Sequence, residues 1–259
     1  MNIRSFIHAA LVLSSLPLVG CSGDDDDSTN NTQPSPLAGH TYVLTTENRS
    51  WVEPKGIAKD VENVMPHFLF QVTGTTGNNV SVRMSVAPKI KDANGMVLPV
   101  VEQDPCNPTI DIPASGTAGQ IGPMDVELHL INAVTADDPS DDLQVTATVY
   151  GLQFTNIFPP NGKTWSQDMI DENVDYPGEL RAKMDFRQLA PLFNVLYHDG
   201  MPPTAEMICD QLPDTAACED CGDGSVTCLT ARAIYLHADE SPGKSVTEVT
   251  KASRPSTCK

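Results

Sequence analysis

Basic residues are scarce in this chain: 16 Lys and Arg stand against 34 Asp and Glu, a formal charge of −18. A phosphate backbone repels so acidic a surface, and the scattered Lys and Arg form no patch, so nucleic acid is excluded as a partner. Aromatic side chains make up only 5%, which leaves few platforms for stacking sugars. Trp51 and Trp165 are the only tryptophans, and Trp51, between Asn48 and Pro54, reads as packing on the domain surface. Catalytic signatures are missing too. There is no Gly-x-Ser-x-Gly and no His-Glu-x-x-His. Gly162-Lys163-Thr164 and Gly243-Lys244-Ser245 end like phosphate loops, yet Ile157 and Ala238 stand where the first Gly is required. His40, His67, His129, His198 and His237 never fall within five positions of one another. The expectation is no enzyme, with no catalytic residue, no cofactor and no metal.

What is present starts with an address. Residues 1–20 read as a secretion signal: Arg4, then an apolar stretch from Phe6 to Val19 ending in small residues. His8, Ser14, Ser15 and Pro17 interrupt it, so it is too short and too broken to span a bilayer. Leu18-Val19-Gly20-Cys21 resembles the lipobox of bacterial lipoproteins. That resemblance implies cleavage before Cys21, a diacylglycerol thioether on its sulfur and an acylated amino terminus. Each buried methylene contributes roughly 0.8 kcal/mol, so several acyl chains hold a protein on a membrane almost permanently.

Cysteine arithmetic agrees. Seven Cys is odd for a secreted chain, but without Cys21 there remain Cys106, Cys209, Cys218, Cys221, Cys228 and Cys258. Six suits a three-bridge framework in an oxidising compartment. Residues 21–36 form the lipidated Cys and a tether, SGDDDDSTNNTQPSP after Cys21, with no apolar residue. Ser22 stands where an Asp would resemble an inner-membrane retention signal, which favours the outer membrane. Asp24–Asp27 resemble a surface-export signal, or simply keep the tether solvated and extended. Loss of residues 1–20 removes one basic residue and no acidic one, taking the charge from −18 to −19.

Residues 37–259 read as one β-rich domain, and 40% hydrophobic content is enough for a core. Candidate strands are 41–46, 67–73, 80–86, 96–101, 109–112, 125–133, 144–158, 179–186 and 226–238. Val80, Val82, Met84 and Val86 alternate with polar residues, as do Val126, Leu128 and Leu130. Residues 74–79 and the Pro159-Pro160-Asn161-Gly162 run read as hairpin loops. Strand following strand predicts an antiparallel all-β fold of about eight strands. A closed barrel is favoured over a two-sheet sandwich. Leu37–Tyr42 resembles the first strand of lipocalin-like barrels, without that family's Gly-x-Trp. A helical face at 186, 189, 190, 193 and 196 follows an Asp185 cap, with Pro191 expected to split it into two pieces. Residues 204–212 predict a second short helix. These helices are expected to cover one end of the sheet, with the cysteine block attached.

That block admits three readings. A zinc site needs a second C-x2-C pair beside Cys218-x-x-Cys221. A thioredoxin-like redox site needs a positive field, and Glu219 and Asp220 stand between the two Cys instead. Structural disulfides are preferred: Cys221 with Cys228 across Gly222–Ser225, Cys209 with Cys218 at a helix end, and Cys106 with Cys258 by remainder. The acidic runs 137–142 and 219–223 lack the ligand order of a calcium loop and read as solvated turns.

Lipobox, acidic tether, Trp51-Val52-Glu53-Pro54 turn, Ile121-Gly122-Pro123, Asp185-Phe186-Arg187 and cysteine block together resemble predicted lipoproteins of the myxobacteria and their relatives. The resemblance implies an envelope location over nearly all of residues 37–258 and transfers no active site. Three functions follow: a non-catalytic lipoprotein binding an envelope protein or polymer; a lipocalin-like carrier of an apolar small molecule; and, third, a hydrolase or disulfide oxidoreductase. The carrier needs a cavity, and the hydrolase needs His, Asp and Ser brought together.

Overall fold

The computed structural model describes residues 36–46, 51–53, 65–77, 79–89, 101–117, 119–132, 143–159, 162, 178–193, 204–212 and 216–258. The signal, Cys21 and residues 22–35 of the tether therefore lie outside the described residues, as do the acidic run 137–142 and His198; Pro36, its last residue, is described and lies against Gly162. All described residues belong to the compact unit Gln33–Lys259.

Ten strands are present among them: β1 (Thr41–Leu44), β2 (Trp51–Glu53), β3 (His67–Thr76), β4 (Asn79–Ala87), β5 (Ile110–Ile112), β6 (Gln120–Asn132), β7 (Leu143–Thr155), β8 (Gly178–Asp185), β9 (Cys228–Leu236) and β10 (Ala238–Glu240). They form two five-stranded sheets, β10-β1-β3-β4-β5 and β2-β9-β8-β7-β6. Every pairing is antiparallel. No strand pair joins the two sheets among the described residues, so the closed barrel favoured from sequence is not seen.

Period-two alternation along the longer strands sends one face of each into a core fed by both sheets. The first sheet contributes Tyr42, Phe68, Phe70 and Met84; the second contributes Leu128, Val149, Phe154 and Met184. Phe154 sits edge-on to Phe68 and Phe70, with ring centroids 5.0 Å away in each case. Ala147, Ala182, Ala231 and Ala233 face the same core from the second sheet; their small side chains leave room for the rings of the first. Among the described residues, the rings of the first sheet and those of the second meet directly between the sheets.

The ends of several elements depart from expectation for physical reasons. Strands β3 and β4 run further than the 74–79 loop implied, leaving only residues 77 and 78 between them, and Gly77 takes φ +59°. Strand β6 begins at Gln120, not 125, and runs through Pro123. It borders its sheet, so a residue without an N–H is tolerated there. Trp51–Glu53 is a short strand pairing with β9, not a turn. The expected 226–238 strand is two: β9 ends at Leu236, and Ala238 opens β10 in the other sheet. Gly178 allows that corner to close, since a Cβ there would lie 1.9 Å from the Leu236 carbonyl oxygen. Of the expected 96–101 strand, residues 96–100 lie outside the described residues and Val101 is in no strand.

Among the described residues two short helices follow β8 and precede β9: α1 (Phe186–Phe193) and α2 (Ala205–Asp210). Asp185 Oδ1 accepts the Arg187 N–H at 2.9 Å, the capping bond its position predicts. Pro191 does not divide α1. Its missing N–H forfeits the one ladder bond to the carbonyl of Arg187 in the first turn, and the helix runs unbroken over Phe186–Phe193; Leu196 of the expected face lies outside the described residues. Phe186, Leu189 and Leu192 are buried against the core. Gln188 Oε1 accepts the Thr148 N–H of β7 at 2.5 Å, satisfying a strand edge just past the point where β8 stops.

Candidate functional site

Two clusters of polar side chains are built around disulfides, each with a buried carboxylate, Asp104 in one and Asp185 in the other. The first begins with His129. Alternation along β6 points this residue away from the core, since Leu128 and Leu130 point in, yet it is only 2% exposed. A strap covers it. Residues 101–109 run beside the C-terminal segment 244–258: Gln103 Nε2 donates to Thr247 O at 2.7 Å, Thr247 N to Gln103 Oε1 at 2.9 Å, and Thr109 N to Val249 O at 2.9 Å. Val101 and Val246 of the strap pack on Leu69 and Ala87, on the outer face of the first sheet. The Cys106–Cys258 disulfide, spanning 152 residues of sequence, pins the strap.

Within the strap the Asp104-Pro105-Cys106-Asn107 turn joins the two sheets. Asp104 N donates to Val86 O of β4 at 2.9 Å. The Asn107 carboxamide engages both backbone groups of His129 on β6, donating to its carbonyl at 2.8 Å and accepting its N–H at 2.7 Å. An amide side chain thus replaces a neighbouring strand at the border of the second sheet. Asp104 Oδ2 lies 3.1 Å from His129 Nδ1 and accepts Asn107 Nδ2 at 2.6 Å, while Oδ1 accepts the Cys106 N–H at 2.8 Å. The other ring nitrogen, Nε2, lies 3.2 Å from Gln144 Oε1. Asp104 is 4% exposed and Asn107 1%.

Asp104 and His129 have the contact of two triad members. The third position, at Nε2, belongs to a carboxamide rather than a hydroxyl or thiol nucleophile, and Cys106 is bonded to Cys258. Sequence reading missed this cluster. Its one signal was the polar Asp104 and Asn107 flanking a cysteine.

The second cluster surrounds Asp185. Burial works to raise this carboxyl, but the Arg187 side chain at 2.6–3.0 Å, the Arg187 N–H and the Thr227 hydroxyl outweigh it and hold it below the ordinary carboxylate range. Arg187 Nη2 also donates to Asp223 Oδ2 at 2.8 Å. Asp223 is held low by the Ser225 N–H and then by Arg187. Asp220 Oδ1 accepts the N–H groups of Gly222 and Gly224 at 2.7 and 3.0 Å. The 219–223 run is therefore a turn whose Asp220 and Asp223 bind its own backbone, as expected. Disulfides Cys209–Cys218 and Cys221–Cys228 brace it. All three bonds are the pairs read from sequence position. Cys218 and Cys221 belong to different bonds, so no C-x-x-C disulfide exists and no free thiolates are left for zinc in this block.

The described histidines have separate neighbours. His40 Nδ1 lies 2.6 Å from Glu240 Oε1, and His237 Nε2 lies 3.5 Å from Asp239 Oδ2. His67 Nδ1 accepts the Thr46 N–H at 3.4 Å. Burial, with Lys89 nearby, pushes the His67 ring down to about 4. Burial, with Glu240 adding to it, pushes the Tyr42 phenol up to about 12, and its hydroxyl donates to the Gly162 carbonyl. Lys244, from the second near-match to a phosphate loop, donates to the Val101 carbonyl and so serves the strap.

No protein-family model, no curated protein and no solved structure matches the chain. Function must therefore be read from its own residues.

Proposed function

We propose that this protein is a lipid-anchored envelope lipoprotein, carried on Cys21 at the outer membrane, whose two-sheet β-sandwich binds or braces an envelope protein or polymer without catalysis. The observation that carries the reading is cysteine use. Six cysteines pair off completely in the folded unit, and the seventh stands where a lipobox places its lipidated residue. Disulfides persist in oxidising compartments, which supports export. The sandwich reading rests on the core shared by two separate sheets. The packed rings between those sheets weigh against the carrier, and the carboxamide at His129 Nε2 weighs against the hydrolase. The myxobacterial lipoproteins that the sequence resembles are the class to which we assign it.

Metabolic labelling tests the anchor. Radiolabelled palmitate should enter the protein in a lipoprotein-competent bacterium and be lost with Cys21→Ser. Label that survives the substitution would overturn the reading.

A further inference from the structure

We propose that Asp104, Cys106 and His129 form a binding site for a divalent cation of the zinc class, closed while Cys106 is bonded to Cys258 and opened when that bond is reduced. The ligand atoms Asp104 Oδ, Cys106 Sγ and His129 Nδ1/Nε2 already lie within 4.8 Å of one another. Their identities suit zinc, which takes sulfur, imidazole and carboxylate ligands tetrahedrally. With bonds of 2.0–2.1 Å, two tetrahedral N and O ligands sit about 3.3 Å apart. Asp104 Oδ2 and His129 Nδ1 are 3.1 Å apart, so an ion entering between them asks for a shift of a few tenths of an ångström.

The surroundings of a metal site are also in place. A metal-bound histidine ordinarily turns its second ring nitrogen to an oxygen acceptor, which fixes the tautomer. His129 Nε2 faces Gln144 Oε1 at 3.2 Å. The carboxylate of Asp104 is oriented by the Cys106 N–H and by Asn107 Nδ2. Charge balances as well: one dication with one carboxylate and one thiolate is neutral, as a buried site requires. The cluster around Asp185, Cys221 and Cys228 has equally close ligand atoms. There the Arg187 guanidinium already occupies the carboxylate, and it would repel a metal cation.

The disulfide is the gate, because a bonded sulfur is not a thiolate. Cys106 and Cys258 are both partly exposed, so a dithiol reductant can reach the bond. Exchange converts the protein disulfide to two thiols and the dithiol to its disulfide. Cys106 then gives one proton to solvent as its sulfur binds the cation. His129 binds through Nδ1 as the neutral ring, its one proton on Nε2 toward Gln144.

The test uses the full chain carrying Cys21→Ser, so that neither lipid nor a stray thiol interferes, with Cys258→Ser added to free Cys106 without reductant. Cobalt(II) should bind at one equivalent with a thiolate-to-cobalt absorption band, and zinc should displace it. The same chain with Cys258 intact should show no band until reduced. Gln144→Leu should weaken cobalt binding about 10- to 100-fold, and His129→Gln should abolish it. Absence of the band in the folded Cys258→Ser chain overturns the proposal, as does a band before reduction in the intact one. Should Cys258→Ser fold only when zinc is supplied, the site is supported; failure to fold with or without zinc counts against it. If His129→Gln does not fold, Gln144→Leu decides, and unchanged affinity there overturns the assignment.

Discussion

The strap and the 209–228 block use the same chemistry for different ends. In the strap, one disulfide joins positions 152 residues apart, and the groups beneath it are buried. In the block, two disulfides join positions 9 and 7 residues apart, and the carboxylates of Asp220 and Asp223 face solvent. One bond fixes a distant segment onto two sheets; the other two shape a local turn. A cross-link removes more freedom from the unfolded chain the longer the loop it closes.

The largest expected effect follows from that loop length. In the chain-entropy model the long bond contributes about 5 kcal/mol and each short one about 2.5 kcal/mol. Replacing Cys106 and Cys258 by Ala should lower Tm by about 10–20 °C in calorimetry, and either local pair by about half as much. Equal losses would erase the distinction between the two regions.

Next in size is Asn107. Asn107→Ala leaves the His129 N–H and carbonyl and one Asp104 bond unmet in a buried site, at about 1–3 kcal/mol for each orphaned group. A loss of about 3–5 kcal/mol in denaturant unfolding is expected. Asp220→Ala in the exposed turn removes two Asx bonds that water can replace, and should cost about 1 kcal/mol or less.

Acid separates the regions differently. His67 pairs with Ala87, which the strap covers. The unfolded chain takes up a proton there near pH 6.5, the folded one only near 4. Stability is therefore full above 6.5, falls by about 3 kcal/mol as pH drops to 4, and then levels. Asp185 acts in a lower window: its depressed folded value holds stability above the ordinary carboxylate range and loses it as pH falls further. Unfolding free energies measured between pH 8 and 3 should show both phases, with His67→Gln removing the upper one alone. The smallest effect is expected from deleting residues 22–35, which leaves Pro36 on Gly162 in place and should leave the Tm of the folded unit unchanged.

Much of the sheet structure was legible because alternation is local. Val80 to Val86 and Val126 to Leu130 announce their inward faces in the order of their residues. The local disulfides were legible for the same reason, since a Gly-Asp-Gly turn between Cys221 and Cys228 brings them together. The strap was not legible. Its bonds run from side chains to backbone across some 140 residues, as between Gln103 and Thr247, and leave no periodic trace. The burial of His129 follows from that cover, so the cluster stayed hidden with it. Strands β2 and β10 are three residues each, too short to show a pattern. Barrel and sandwich share one alternation; only the order of pairing distinguishes them.

The most direct measurement is the intact mass of the protein extracted from bacterial membranes, before and after reduction. The expected species begins at Cys21, carries a diacylglycerol and an amide-linked acyl chain, and gains six hydrogens on reduction of its three disulfides. An unacylated Cys21, or a mass that reduction leaves unchanged, would contradict the assignment of this protein as a disulfide-stapled envelope lipoprotein.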